Sequence, residues 1–467
     1  MNSNQPVAET TASVTERPYP SSRSAWFLVG MLMVLYVFSF MDRSLLGLLV
    51  GPIKETMNIS DFQVSLLMGF SFALFYSILG LPIGRMADSR DRKWLIAAGL
   101  LVWTVMTALC GTVRSYWQFF VYRMGVGIGE ATLSPCAYSM ITDSFPKKHL
   151  GKAISAYSMG IFFGVAASGL GGAFVLDMVR DVGTLELPLL GVVHPWQLLF
   201  LTVGLLGLIP LVIFVLAVRE PARRDATMTT DAEGQSKVAQ TPLRDTLDYM
   251  RANTAAIVCH NIGFSILAFS NWALGSWTIE FFVRTHGWDR VDTGYLIGFN
   301  GLLTQPAGIL LGGFLADRMI ARGKSDGMMR VGLLASVGWL IPGLLYPWMP
   351  SGWMSFVFIV PVAFFVALPF GCAPAAMQQI MPADMRAQAA AWYLFVVNLI
   401  GMGIGPSAIG FANDYIFQDE SKLWASLLLI GSISHVVAAI AFLYGLKPFR
   451  ESVARLAQRE RQAETTA

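Results

Sequence analysis

Charge is what this sequence has least of. Of 467 residues only 13% are Asp, Glu, Lys or Arg, against about 25% in soluble domains, while 55% are hydrophobic and the mean hydropathy is +0.56. That deficit excludes a soluble enzyme as the main reading, because a water-facing surface on so long a chain needs far more charge. Cysteine is scarce as well. Cys110, Cys136, Cys259 and Cys372 all fall in apolar runs without metal-like spacing, which argues against a disulfide framework and a zinc site and leaves them as packing residues. No nucleophile–base constellation, metal-ligand set or ATP-binding loop stands out, so no catalytic residue, metal or cofactor is expected, and no ATP-driven pump. The net charge is +3, from 33 basic and 30 acidic residues, which is too small to argue for nucleic acid.

Long apolar runs are what the sequence has in abundance. The first 24 residues are polar, and the run that follows, residues 26–50, exceeds the hydrophobic core of a signal peptide and reads as a retained membrane helix. A bilayer is crossed by about 20 apolar residues. Eleven further runs of that length begin near Phe62, Trp94, Tyr116, Leu150, Trp196, Asn253, Val291, Met329, Ser351, Arg386 and Leu423. Twelve spans place both termini on one side. That side holds 25 Lys and Arg, against six opposite, namely Lys54, Arg114, Arg180, Arg284, Arg290 and Lys422. The positive-inside rule then makes both termini cytoplasmic, with the cell (inner) membrane as the expected location of a multi-pass protein. Arg43 and Arg123 lie inside spans.

The chain divides into a polar tail (1–24), a six-helix bundle (25–218), a linker (219–252), a second bundle (253–446) and a second tail (447–467). The linker is polar and has few large apolar residues, so it cannot form a core of its own. At its end Thr241 and Pro242 read as a cap and first helical position, with Leu243, Leu247 and Met250 on one face of a short interfacial helix. The halves also echo each other. Gly84, Ala87 and Asp88 after span two recur as Gly313, Ala316 and Asp317 after span eight, and Pro146 and Tyr157 recur as Pro382 and Tyr393. The expected fold is an all-α membrane protein of twelve helices, two six-helix bundles related by pseudo-two-fold symmetry. A duplicated six-helix unit in parallel orientation resembles the alternating-access transporters of the major facilitator type.

Three segments carry that resemblance further. Residues 84–93, Gly-Arg-Met-Ala-Asp-Ser-Arg-Asp-Arg-Lys, resemble the cytoplasmic loop signature of the major facilitator superfamily at Gly84, Asp88, Arg92 and Lys93, with the repeat copy at Asp317 and Arg318. Asp91 departs from it, standing where the family usually has glycine. The resemblance implies a gating latch that joins the halves at the cytoplasmic side in the outward-open state, with Asp88 pairing to basic residues such as Arg92 and facing span eleven near Arg386. Span one carries Met41-Asp42-Arg43, and span four carries Arg123-Met124-Gly125-Val126-Gly127-Ile128-Gly129-Glu130-Ala131, followed by Pro135. The glycines lie mid-span with no preceding strand, so they read as helix-packing positions, as do Gly160 and Gly164, and not as a nucleotide loop. Together these segments resemble the spinster branch, the lysolipid and sphingolipid transporters. Organic anion and sugar acid symporters of the same superfamily share an Asp-Arg pair in span one and a glutamate in span four.

A charge deep in a bilayer costs at least about 2.5 kcal/mol and usually marks a pathway. Arg123 and Glu130 are two helical turns apart on one face of span four. In the architecture the resemblance implies, spans one and four line one cavity, which gathers Asp42, Arg43, Arg123 and Glu130. Asp42 and Glu130 are the expected proton-coupling groups, and Arg43, Arg123 and Glu130 the expected substrate contacts. Second-half candidates are Asn271, Glu280, Arg284, His286, Asn300, Gln305 and Asn398, either as cavity lining or as interhelical hydrogen-bonding groups. His260 and His435 read as packed neutral histidines. The expected activity is proton-coupled transport by alternating access, by a monomer, of a lysophospholipid or sphingosine-phosphate-like lipid, with small organic anions or sugar acids as the alternative substrates.

Overall fold

The computed structural model describes residues 19–180, 183–188, 191–223, 228–230, 236–238, 242–382 and 384–466. Most of the polar N-terminal tail, much of the linker and Thr241 therefore lie outside the described residues, as does the side chain of Asp88. In chain order the spans are: 1, Ser22–Met57; 2, Asp61–Met68 and Phe70–Ser89; 3, Arg92–Cys110; 4, Tyr116–Glu130 and Leu133–Ser144; 5, Lys147–Ser158 and Gly160–Arg180; 6, Pro195–Leu206 and Leu208–Ala217. After the linker come 7, Thr254–His286; 8, Arg290–Ala321; 9, Gly327–Leu345; 10, Gly352–Ala367 and Cys372–Gln379; 11, Arg386–Phe411 with interruptions; and 12, Leu423–Thr466. The starts fall within four residues of those read from the sequence. Span 12 continues as one helix from Leu423 to Thr466, into the residues read as the second tail.

Eleven stretches among the described residues are long and apolar enough to cross a membrane. Span 4 is not among them, and there is a local reason for its two pieces. Gly125, Gly127 and Gly129 weaken the helix, and Pro135 has no N–H to give the carbonyl of Ala131, so the helix gives way just after Glu130. The same glycines let neighbours in: a Cβ on Gly127 would stand 2.5 Å from the carbonyl oxygen of Phe72 in span 2, and one on Gly129 would stand 2.6 Å from that of Gly99 in span 3. Asp91, the departure from the loop signature, caps span 3 by accepting a hydrogen bond from the Trp94 N–H at 3.1 Å. The short helix Leu243–Ala252 follows Pro242, with Leu243 and Leu247 exposed.

Apolar side chains turned outward, such as Leu216 at 80%, Leu303 at 72% and Ile341 at 71% exposure, fit helices solvated by lipid and not by water. Inside, the buried side chains form three clusters. One spans both halves at the end opposite the termini, joining Leu45, Ile53 and Phe119 to Phe281, Trp339 and Ile409. The other two divide largely by half, around Leu32, Ile96 and Met140 in the first and Ile257, Phe264 and Met377 in the second. The halves thus share a core at the far end and keep mainly separate cores toward the end that carries the termini.

Candidate functional site

Asp42, Arg43, Arg123 and Glu130 of spans 1 and 4 are all buried, and the structure sorts them into two pairs. Ser39, Asp42 and Arg43 lie within about one turn of span 1. Arg43 directs both Nε and Nη2 to one oxygen of Glu130, Oε2, at 2.7 Å each. The Ser39 hydroxyl donates to the same oxygen at 2.5 Å and accepts from Arg43 Nη2 at 3.1 Å. Asp42 turns toward spans 3 and 4. Its Oδ2 accepts from the Thr107 hydroxyl at 2.8 Å, while Oδ1 stands 3.5 Å from Arg123 Nη1. Arg123 also directs Nε to the Leu67 carbonyl at 3.4 Å.

These pairs are unequally satisfied. Asp42 Oδ1, Glu130 Oε1 and both terminal nitrogens of Arg123 are buried without a hydrogen-bond partner from the protein. Leaving a buried charged group short of a hydrogen bond costs about 1–3 kcal/mol or more. Glu130 sits at the break in span 4, where the glycines admit span 2 and the aromatic side chains Phe72 and Tyr76 that it carries close to Arg43.

A second set of charges closes the far end. Asp61, the first residue of span 2, is fully buried and takes both terminal nitrogens of Arg284, at 2.7 and 3.0 Å, together with Asn413 Nδ2 at 2.7 Å and the Lys54 ammonium. Arg284 also donates to Glu280 at 2.7 Å, and Arg290 bonds both Glu280 at 2.7 Å and the Leu48 carbonyl at 3.1 Å. Asp414 accepts from the Phe62 N–H at 2.7 Å, and Glu420 meets Lys54 at 2.8 Å. Beside this network lies a cavity of about 500 Å³ lined by Lys54, Glu280, Arg284, Arg290 and Glu420 among others. Glu280 and Arg284 were candidates from sequence; Asp61 and Lys54 were not. The Ser60/Gln63 capping box marks Asp61 as a helix start, yet nothing local marks its partner in span 7. Ser39 and Thr107 were also missed, since hydroxyls in apolar helices usually bond their own backbone.

At the end carrying the termini, Arg92 is fully buried and engaged by its own half and the start of the linker. It binds Asp143, Glu220 Oε1 at 2.6 Å, Ser139 at 2.8 Å and the Pro221 carbonyl at 2.8 Å. The Lys93 N–H donates to Glu220 at 2.9 Å. Gly84 has no neighbour within 4 Å of a Cβ position, Asp317 and Arg318 are exposed, and Arg386 donates to the Met381 carbonyl at 3.1 Å. His260 is buried with Nε2 2.8 Å from the Ala373 carbonyl, and His435 stacks on Trp339 at 3.8 Å, both as packed side chains.

With this architecture in view, the chain belongs to the Major Facilitator Superfamily, whose family model matches residues 32–406. It is therefore a transporter built into a membrane by many spans. Over 92% of its length it is 27% identical to an MFS-type efflux pump of Mycolicibacterium smegmatis, of which the match covers 95%. A probable L-galactonate transporter of Escherichia coli is 25% identical over 63% of each chain. Human protein spinster homolog 1 is 23% identical over 93% of this chain and 83% of its own. A bacterial homolog of the human lysosomal transporter spinster has the same fold, with a TM-score of 0.74 at 24% identity over 93% of this chain and 99% of that one. The resemblance to the spinster branch read from spans 1 and 4 thus holds across both halves.

Proposed function

We propose that this transporter is proton-coupled, works by alternating access and moves an amphiphile with a charged head group, of the lysophospholipid or sphingosine-phosphate kind. The observation that carries the reading is the cluster of four buried ionisable groups between spans 1, 3 and 4, held in two pairs with charged atoms left over. A structural ion pair needs no surplus donors and acceptors. A site that trades partners does. Asp42 and Glu130 exchange a proton for an arginine partner during the cycle. Arg43 and Arg123 lend their planar forks to the anionic part of the head group while the carboxylates are protonated or otherwise occupied. Both termini face the cytoplasm of a cell whose inner membrane holds a monomer. The two bundles, 25–218 and 253–446, rock about the site with residues 219–252 as the connection. Gly84, Asp88, Lys93, Asp317 and Arg318 meet at the cytoplasmic side when it closes, and Arg92 anchors that loop.

A second reading, symport of small organic anions or sugar acids, draws on the likeness to the probable L-galactonate transporter. Purified protein in liposomes separates the two. A proton gradient imposed without ATP is expected to drive uptake of a lysophospholipid and not of a sugar acid; the reverse pattern selects the second reading, and no gradient-driven movement of either class removes proton coupling.

A further inference from the structure

The guanidinium carbon of Arg43 stands 4.7 Å from the ring centroid of Phe40, 4.7 Å from that of Phe72 and 4.6 Å from that of Tyr76. Three rings from two helices at nearly one distance from a single cation form a box, which exceeds what packing alone asks of an arginine stem. Two nitrogens of Arg43 converge on one side of the group, on Glu130 Oε2, and Nη2 also reaches Ser39. The box also lies at the boundary between the halves. Phe40 stacks with Trp272 of span 7 at 6.4 Å, and Tyr76 is only half-buried.

We propose that this three-ring box, with Glu130 as its counter-ion, is a binding site for an organic ammonium group of the substrate, and that Arg43 fills it as an internal surrogate until the substrate arrives. Aromatic faces attract any cation of low hydration, and a quaternary ammonium makes no directional hydrogen bond, so it needs only the rings and a nearby carboxylate. The exchange is balanced in charge. A substrate bearing an ammonium beside an anionic group replaces the internal pair of Arg43 and Glu130 with two intermolecular pairs, ammonium with Glu130 and anion with Arg43. No net charge enters the buried space, which limits the desolvation penalty. The role given to Arg43 toward the anion rests on the transport reading above; the box itself does not.

Tetramethylammonium is the probe, titrated calorimetrically into the purified full-length protein at constant ionic strength. Arg43→Ala empties the box and is expected to tighten tetramethylammonium binding about tenfold over the wild type. Adding Tyr76→Leu is expected to abolish that gain, and Tyr76→Phe to keep it. A folded Arg43→Ala protein that binds the probe no better than wild type overturns the proposal. Should Arg43→Ala not fold, the wild-type background decides: tetramethylammonium is expected to bind Tyr76→Phe more tightly than Tyr76→Leu, and equal affinity overturns the proposal. Binding requires neither a gradient nor vesicles. Liposomes without proton-driven uptake alongside a functioning box would therefore remove the transport reading and leave the ammonium site standing.

Discussion

Two groups of buried charges lie in this protein, and they are built on opposite plans. The far-end network draws on both halves and is dense. Asp61 alone receives Lys54, Arg284 and Asn413. The central cluster lies wholly within the first half and is sparse, with four charged atoms lacking a hydrogen-bond partner from the protein. Density suits a clamp, since each ion recovers its desolvation cost through several charged hydrogen bonds. Sparseness suits exchange, because a charge with spare valence can change partners at little cost. The charge accounting of the clamp is also informative. Lys54 and Asp61 come from the first half, while Glu280, Arg284, Arg290 and Glu420 come from the second, so among these six ion-paired groups, Asp414 aside, each half taken alone has equal positive and negative charge. Separating the halves breaks contacts without stranding a net charge, and a clamp of this kind can be strong and still reversible.

Breaking the clamp is expected to give the largest effect. Asp61→Asn takes a fully buried carboxylate from Arg284 and Lys54 and leaves them Glu280 and Glu420, and removing one partner of a buried pair costs up to about 3–5 kcal/mol. Spin labels at the far ends of spans 1 and 7 should report longer distances in the variant; an unchanged distribution together with an unchanged melting temperature would show that the network closes nothing. Glu130→Gln comes next. The amide keeps the shape but loses the charge that holds Arg43, a charged hydrogen-bond contribution of about 1.5–3 kcal/mol. Gradient-driven uptake should fall at least tenfold while folding persists, and uptake at the wild-type rate would remove Glu130 from coupling.

Finer changes sharpen the contrast between sparse and dense. Arg123→Lys replaces a planar fork with a point charge and should weaken anionic substrate binding more than it lowers stability, by about 1–2 kcal/mol. An unaltered titration with the fold intact would take Arg123 out of the site. Ser39→Ala removes one hydroxyl from Glu130, worth about 1 kcal/mol, and should shift the pH profile of transport while leaving its maximum rate nearly unchanged. A profile identical to wild type would make Ser39 a packing residue.

The smallest effect belongs to a charged clasp outside the spans. Asp326, ahead of span 9, accepts from Arg330 at 2.8 Å and from Arg450 of span 12 at 2.6 Å. Burial pushes its carboxyl up, but the hydrogen bonds and charges of the two arginines outweigh burial and hold it below the usual carboxylate range. A carboxyl lowered on folding stabilises fully above its unfolded value of about 3.9, and that contribution fades as pH falls through the lower folded value. Asp326→Asn should therefore cost about 1 kcal/mol at pH 7, with Arg450 partly exposed and its share screened. Melting curves of variant and wild type should converge in acid, and a gap that persists there would assign the loss to packing.

Much of this molecule is written along the chain, because hydropathy is a local quantity. Length and spacing of apolar runs determined the spans, and lysine and arginine counts gave the expected sidedness. The echo of Gly84, Ala87 and Asp88 in Gly313, Ala316 and Asp317 pointed to two related halves, and the Asp-Arg and Gly-x-Gly-Glu-Ala segments pointed to the family. The rarity of charge inside spans singled out Asp42, Arg43, Arg123 and Glu130 by the same logic. The interruption after Glu130 was latent in the glycine run and Pro135 but had no periodic signature.

Pairing was settled only in three dimensions. Sequence placed four charges around one space, whereas the fold divides them into a tight pair, Arg43 with Glu130 across 87 residues, and a loose one, Asp42 with Arg123. It turned Arg92 inward to Asp143 and Glu220, and it brought Arg284 and Asn413 to Asp61 across 223 and 352 residues. The aromatic box around Arg43 exists only because span 2 approaches span 4 closely at its glycines. Hydrogen bonds and ion pairs act over about 3 Å, so a partner is chosen by how helices distant in sequence pack together, and that choice depends on the whole chain at once.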